Sequence, residues 1–290
     1  MGKKWDGKTK GSLLGYKFFV FCIRFLGVKF SYFFCIWVSG YFVLFASKQR
    51  NGLIRFYKKG FEYSTAKSIL TSAVNFYRFG QVLIDRIALK TERKRIFTHS
   101  FDNERALLDI KEMGKGGFLI SGHVGNWENA GNLIGERITS KINILMLDAE
   151  VEKIKHFLDE KTEKAKYNLI PLKDDMSHLI LIHQALKRNE LIALHADRTL
   201  EGQKTFEFPF LKGQAAFPSG PFIMAHKFKV PITFVFAIKT TSTHYQLNAT
   251  APILDSSSPE EIAEKYVHRL EEMVKKAPEQ WFNFYDYYAN

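Results

Sequence analysis

The stretch Gly117-Phe118-Leu119-Ile120-Ser121-Gly122-His123-Val124-Gly125-Asn126-Trp127-Glu128 decides the fold class. Its opening run is apolar and reads as a buried strand that ends in a glycine turn, and Asn126 to Ile134 reads as the start of a helix. The turn also carries chemistry, because His123 and Glu128 lie five residues apart. On one continuous helix such residues sit about 140° apart, on different faces. With His123 in the turn and Glu128 in the first helical turn, the chain folds back and the two side chains meet. A neutral imidazole held by a carboxylate is a general base suited to near-neutral pH. The bare spacing fits equally well a His that closes a strand and a Glu on a solvated helix, so the pattern needs support from the rest of the chain.

Working outward, alternating elements surround this unit. Asn103 to Met113 reads as a helix with Asp102 as its cap and Gly114 as its stop. Strands are predicted at Phe118–Ser121, Ile142–Leu147, Asn168–Leu172, Leu191–His195, Ile232–Ile238 and Tyr245–Ala249. Helices are predicted at Val151–Lys164, at Ser177–Arg188 behind Asp175, and near Ser219–Phe228. Ser258-Pro259-Glu260-Glu261 opens a last helix with an N-cap, a proline at the first helical position and an acid at the third. This order predicts an α/β fold with a mixed, largely parallel sheet flanked by helices. Residues 51–101 read as an amphipathic helical approach segment, and 102–290 as the α/β domain.

The 290 residues are 46% apolar, which supports a full core and argues against disorder. The net charge of +12 is unevenly placed, since residues 1–60 hold twelve Lys or Arg against the single acid Asp6. A uniformly basic chain would point to nucleic acid. A basic, Phe-rich N-terminus on a near-neutral body points to an anionic membrane surface and no nucleic acid. Phe30 to Ser47 is uncharged and meets the lower length limit for a spanning helix, whereas Leu13 to Val28, interrupted by Lys17 and Arg24, suits an interfacial helix. Residues 1–50 are therefore read as a basic apolar membrane anchor, with a buried soluble helical hairpin as the alternative. The two cysteines, Cys22 and Cys35, would lie about 20 Å apart on a helix, too far to bridge. No zinc spacing is present.

A second block follows the strand at 191–195. It runs His195-Ala196-Asp197-Arg198, then Thr205 to Gly213, then Ala216-Phe217-Pro218-Ser219-Gly220-Pro221. Ligands of such sheets gather beyond the carboxyl ends of the strands, where His123 and Arg198 both fall. Arg198 could stabilise an oxyanion or bind an acceptor phosphate, or could simply pair with Asp197 or another acid. Asp197, Gly125 and Asn126 are counted with it on the substrate or oxyanion side, with backbone N–H groups near Gly125 as the alternative donors. Ser219 has no triad pattern around it and is not read as a nucleophile.

With both blocks in view, the chain resembles the bacterial lipid A biosynthesis acyltransferases, the late lauroyl and myristoyl transferases. The likeness runs through His123 to Glu128, Asp197-Arg198, Phe206 to Gly213, Pro218 to Pro231 and the tail Trp281-Phe282-Asn283-Phe284. It implies transfer of a fatty acyl group from acyl carrier protein, or less often acyl-CoA, to a lipid hydroxyl at the cytoplasmic face of a bacterial inner membrane. It implies His123 as base, Glu128 as the acid that orients it, no metal, no cofactor and no covalent acyl-enzyme. The sequence departs from the family where an Arg often follows the next strand, here Met146-Leu147-Asp148-Ala149, and where Asp-Gln is common, here Asp197-Arg198. These departures leave the acceptor open among lipid A, a related glycolipid and a pigment-like lipid. Two other functions fit the same residues: hydrolysis of an acyl thioester, and a non-catalytic membrane adaptor in which His123 and Glu128 are incidental.

Overall fold

A seven-stranded sheet, parallel at every described pairing but one, forms the centre of the chain in a computed structural model, which describes residues 13–127, 130, 134, 138–147, 167–173 and 175–288. The N-terminal third is helical, with α1 over Leu13–Phe21, a π-turn at Cys22–Leu26, α2 over Val28–Phe45, α3 over Ser47–Phe61 and α4 over Thr65–Ala88. Then come β1 (Thr98–Asp102), α5 (Arg105–Glu112), β2 (Gly117–Ser121), β3 (Ile142–Leu147), β4 (Tyr167–Leu172), α6 (His178–Lys187) and β5 (Leu191–His195). The chain continues through β6 (Thr205–Phe210), β7 (Gly213–Pro218), α7 (Gly220–Phe228), β8 (Ile232–Lys239), β9 (His244–Ala249) and α8 (Pro259–Lys276). Between β2 and β3, Trp127, Ala130, Ile134 and Ile138 are helical. The helix expected at Val151–Lys164 lies outside the described residues.

The strand order is β1-β9-β8-β2-β5-β3-β4, with β8 and β9 the antiparallel pair. β2 lies between β5 and β8, and all five of its residues are buried. A strand buried on both faces reads as a continuous apolar run, which is why Phe118-Leu119-Ile120 could be found from sequence. Its side chains alternate between two cores. Phe118 and Ile120 join Phe234, Phe236 and Ile238 of β8 in one, where α6, α7 and α8 pack. Leu119 joins Val235 and Ala237 in the other, with α5 and the face Ala130, Ile134 and Ile138 of the helix after β2. The result is three layers, helix on sheet on helix.

Two expectations are corrected here. Residues 98–101, assigned to the helical approach segment, form with Asp102 the edge strand β1, paired in register with β9 from Thr98↔His244 to Asp102↔Asn248. This strand is short, polar and mostly exposed, so only its partner reveals it. Asp102 consequently ends a strand and caps no helix, and α5 starts at Arg105 after Asn103 turns through φ +60°. The block Thr205 to Pro218 is a separate antiparallel hairpin, β6 with β7. The cap at Ser258 is as expected, its hydroxyl accepting from the N–H of Glu261 at 3.2 Å.

Candidate active site

The site is set by one register. Ser121 and His195 end the paired β2 and β5 strands directly opposite each other. The ladder runs one bond further, the N–H of Ala196 donating to Ser121 O at 3.0 Å. Both chains then leave the sheet at its carboxyl edge, so residues two places further on, His123 and Asp197, emerge side by side. Gly122 makes this approach feasible, because a Cβ there would sit 3.2 Å from the Asp197 carboxyl carbon and 2.9 Å from the Tyr266 hydroxyl.

Asp197 is fully buried and receives three hydrogen bonds on its carboxylate. Its Oδ1 lies 2.7 Å from His123 Nδ1. Its Oδ2 accepts the backbone N–H of His123 at 2.9 Å and the indole N–H of Trp281 at 3.1 Å. A carboxylate accepting on both oxygens is held in its ionised form, and it fixes the imidazole proton on Nδ1. Nε2 is thereby the acceptor of a ring that is 17% exposed, partly open on the outer side.

Burial alone would raise the Asp197 carboxyl. The charge and hydrogen bond of His123, with the Arg198 guanidinium behind them, override burial and hold it well below the usual carboxylate range. Burial and the nearby Arg198 charge push His123 below the ordinary imidazole value, with Asp197 opposing them. At neutral pH the pair is therefore a carboxylate holding a neutral imidazole. His195 stands against it, ring centroids 4.5 Å apart, and burial followed by the His123 charge pushes it down to about 3. Trp127 closes the corner, edge-on to both rings at 5.0 and 5.5 Å. His123 thus sits among uncharged aromatic rings with one buried carboxylate beneath it.

The predicted residues fare differently. Glu128 lies outside the described residues, and the Nδ1 position expected for it is taken by Asp197. Asp197, expected on the substrate side of the site, is instead bonded to the His123 ring. Gly125 and Asn126 are withdrawn as oxyanion donors, since their backbone N–H groups donate to Gln280 O at 2.9 Å and Ala237 O at 2.8 Å. Asn126 is buried, and its side chain donates to Tyr245 OH at 3.2 Å. Arg198 stays near the imidazole whose pKa it lowers, with its Nε and one terminal nitrogen donating to Asn283 Oδ1 at 3.2 Å and Phe282 O at 2.6 Å. Ser219 donates its hydroxyl to Lys204 O at 3.0 Å, a structural use.

Sequence reasoning missed the part played by the 281–288 tail. Besides Trp281 and the Arg198 acceptors, Phe282 donates its N–H to His123 O at 2.9 Å, and the Tyr287 hydroxyl donates to Asp197 O at 3.4 Å. A Trp-Phe-Asn-Phe string without polar spacing looks like core filling. Only the distance from Trp281 to Asp197, 84 positions away in the chain, shows its second use.

No curated protein matches the chain. The family model for bacterial lipid A biosynthesis acyltransferase does, over residues 16–288, from within α1 through the tail that clasps Asp197. A buried carboxylate under a partly open imidazole, at the carboxyl edge of a mostly parallel sheet, suits the proton transfer that moving an acyl group onto a hydroxyl requires. The chain belongs to the bacterial lipid A biosynthesis acyltransferase family, and acyl transfer is its chemistry.

Proposed function

We propose that this protein is a membrane-associated O-acyltransferase that moves a fatty acyl group from the thioester of acyl carrier protein or CoA to a hydroxyl of a lipid A-like or other glycolipid acceptor. His123 Nε2 takes the proton of the acceptor hydroxyl as its oxygen attacks the thioester carbonyl. The tetrahedral oxyanion collapses, the C–S bond breaks, and His123 returns its proton to the departing thiolate, giving an ester and a free thiol. Asp197 keeps the proton on Nδ1 and stabilises the imidazolium formed in between. Arg198 supplies positive charge on the side where the oxyanion develops. The 2.7 Å bond between His123 Nδ1 and Asp197 Oδ1 is the observation that carries this reading. Attachment to the inner membrane through residues 1–50 is supported by their nine basic residues and by α2, long and apolar enough to cross a membrane.

The test is acyl transfer by the purified full chain, read by mass spectrometry of the acceptor lipid with acyl carrier protein and CoA thioesters in parallel. His123→Ala should lower the rate about 10²–10⁴-fold with an unchanged circular dichroism spectrum. Near-normal turnover by that variant would overturn the mechanism. Release of free fatty acid with no acylated lipid would replace transfer by hydrolysis.

A further inference from the structure

The polarity of α2 is inside out. Its buried side chains are Val28, Ser31, Tyr32, Cys35 and Ser39, three of them hydroxyl-bearing. Its outer face presents Phe33, Trp37, Tyr41 and Leu44, spaced three or four apart and each more than half exposed. A helix on a water-soluble body carries the opposite arrangement, apolar inward and polar outward. Phe21 and Phe25 extend the exposed apolar surface toward α1. Lys29 and Lys48 bound it in sequence, and both are exposed, as are Lys17 and Arg24.

The inner face is bolted in place. Tyr32 donates its hydroxyl to Asp85 of α4 and accepts from Lys239 Nζ of β8 at 2.8 Å. Asp85 and Lys239 form an ion pair at 2.6 Å with side chains 0% and 1% exposed. Further along, Cys35 and Ser39 lie against Gly80, where a Cβ would meet Cys35 Sγ at 2.3 Å. The contacts run in opposite directions along the two helices, so α2 lies antiparallel on α4. α4 carries Lys67, Arg78, Asp85 and Arg86 and is backed by the sheet, so it cannot follow α2 into hydrocarbon.

We propose that α2 does not cross the bilayer but lies along an anionic membrane surface, its Phe33–Trp37–Tyr41–Leu44 face in the acyl-chain boundary and its Tyr32 face still bonded to the body. The inference rests on the membrane attachment proposed above and fixes its mode. An apolar outer face takes up lipid tails, the flanking lysines reach anionic headgroups, and the polar inner face keeps its hydrogen bonds. Catalytic body and membrane contact are then one rigid unit.

The test uses the full chain with Trp37→Cys carrying an environment-sensitive fluorophore. Cys22 and Cys35 are buried, so wild-type protein serves as the labelling control. Vesicles of phosphatidylethanolamine and phosphatidylglycerol hold a quencher either near the ester carbonyls or at the acyl terminus. Residue 37 is near the middle of α2, so a spanning helix would place the label at the bilayer centre. The expected result is flotation with the vesicles and quenching mainly by the shallow probe. The double variant Phe33→Ser/Trp37→Ser should float about tenfold less well or worse. Flotation with deep quenching would overturn the flat arrangement alone. Failure to float would overturn membrane attachment itself. A vesicle-independent dimer by light scattering that shields the label from aqueous iodide would assign the face to a second copy and overturn the proposal.

Discussion

Trp281 donates its indole N–H to the carboxylate oxygen of Asp197 that the His123 ring leaves unused. The bond ties the tail to the Asp197 carboxylate and restrains that carboxylate from rotating away from the imidazole. A hydrogen bond to a charged group contributes about 1.5–3 kcal/mol. Trp281→Phe keeps most of the ring packing and removes the donor. It is expected to lower the thermal midpoint by several degrees and kcat by roughly tenfold, with KM little changed; both are read on the purified variant. Wild-type kcat in a folded Trp281→Phe protein would show that the clasp is packing only.

Asp197 and Glu128 can be separated as orienting acids. Asp197→Asn keeps the shape but offers an amide where Nδ1–H needs an acceptor, which favours the wrong tautomer and has cost about 10⁴-fold where a comparable acid was changed. Loss on the order of 10²–10⁴ is expected for Asp197→Asn and a smaller loss for Glu128→Gln, in side-by-side single-turnover assays. The reverse order would return the orienting role to Glu128.

The pH profile should carry the signature of a depressed base. Only neutral His123 accepts a proton, so activity falls as pH drops through its pKa in the folded protein. Burial and Arg198 hold that pKa below the ordinary imidazole value, against the pull of Asp197. The acid limb of kcat/KM is therefore expected below about pH 6.5. Arg198→Leu removes one depressing charge and should move the limb to higher pH as well as lowering the rate. An unmoved limb would confine Arg198 to contact with substrate.

The buried pair Asp85–Lys239 should be costly to break from one side. Asp85→Ala leaves a cation with no counter-charge and is expected to destabilise by about 3–5 kcal/mol. Asp85→Leu with Lys239→Met should recover much of that loss. Denaturant unfolding of the detergent-solubilised chain decides it, and additive single effects would argue against a coupled pair.

Gly125 is held at φ +66°, and a Cβ would lie 1.9 Å from the carbonyl oxygen of Ala237. Gly125→Ala must push the His123 loop off β8. Loss of activity with a lowered thermal midpoint is expected, and wild-type behaviour in both would contradict the packing.

The sheet was legible where its strands turn apolar side chains into a core. β2, β3, β4, β5, β8 and β9 lie within one residue of their predicted bounds, because each carries apolar residues turned into a core. β1 was not legible, because an exposed edge strand has no apolar run. The hairpin β6–β7 was noticed as a motif and not as strands, its Phe-Glu-Phe-Pro-Phe alternation broken by a proline. His123 could be picked out from its turn. Its partner could not, because the choice between Glu128 and Asp197 depends on which strand lies beside β2. Local spacing favoured the nearer acid, and register brought in the one 74 residues away.

The tail that clasps Asp197 also has a place in time. A ribosome releases His123 and Asp197 well before residue 281, so for that interval one oxygen of the carboxylate has no indole and the Arg198 guanidinium lacks Phe282 O and Asn283. A nascent chain can thus hold His123 and Asp197 at the ends of adjacent strands while the surroundings of the carboxylate are still incomplete. The Asp197 carboxylate is thereby fully clasped only once residues 281–283 have been made, and a transcript cut short just before Trp281 yields a chain in which that carboxylate lacks its indole donor and Arg198 lacks both acceptors.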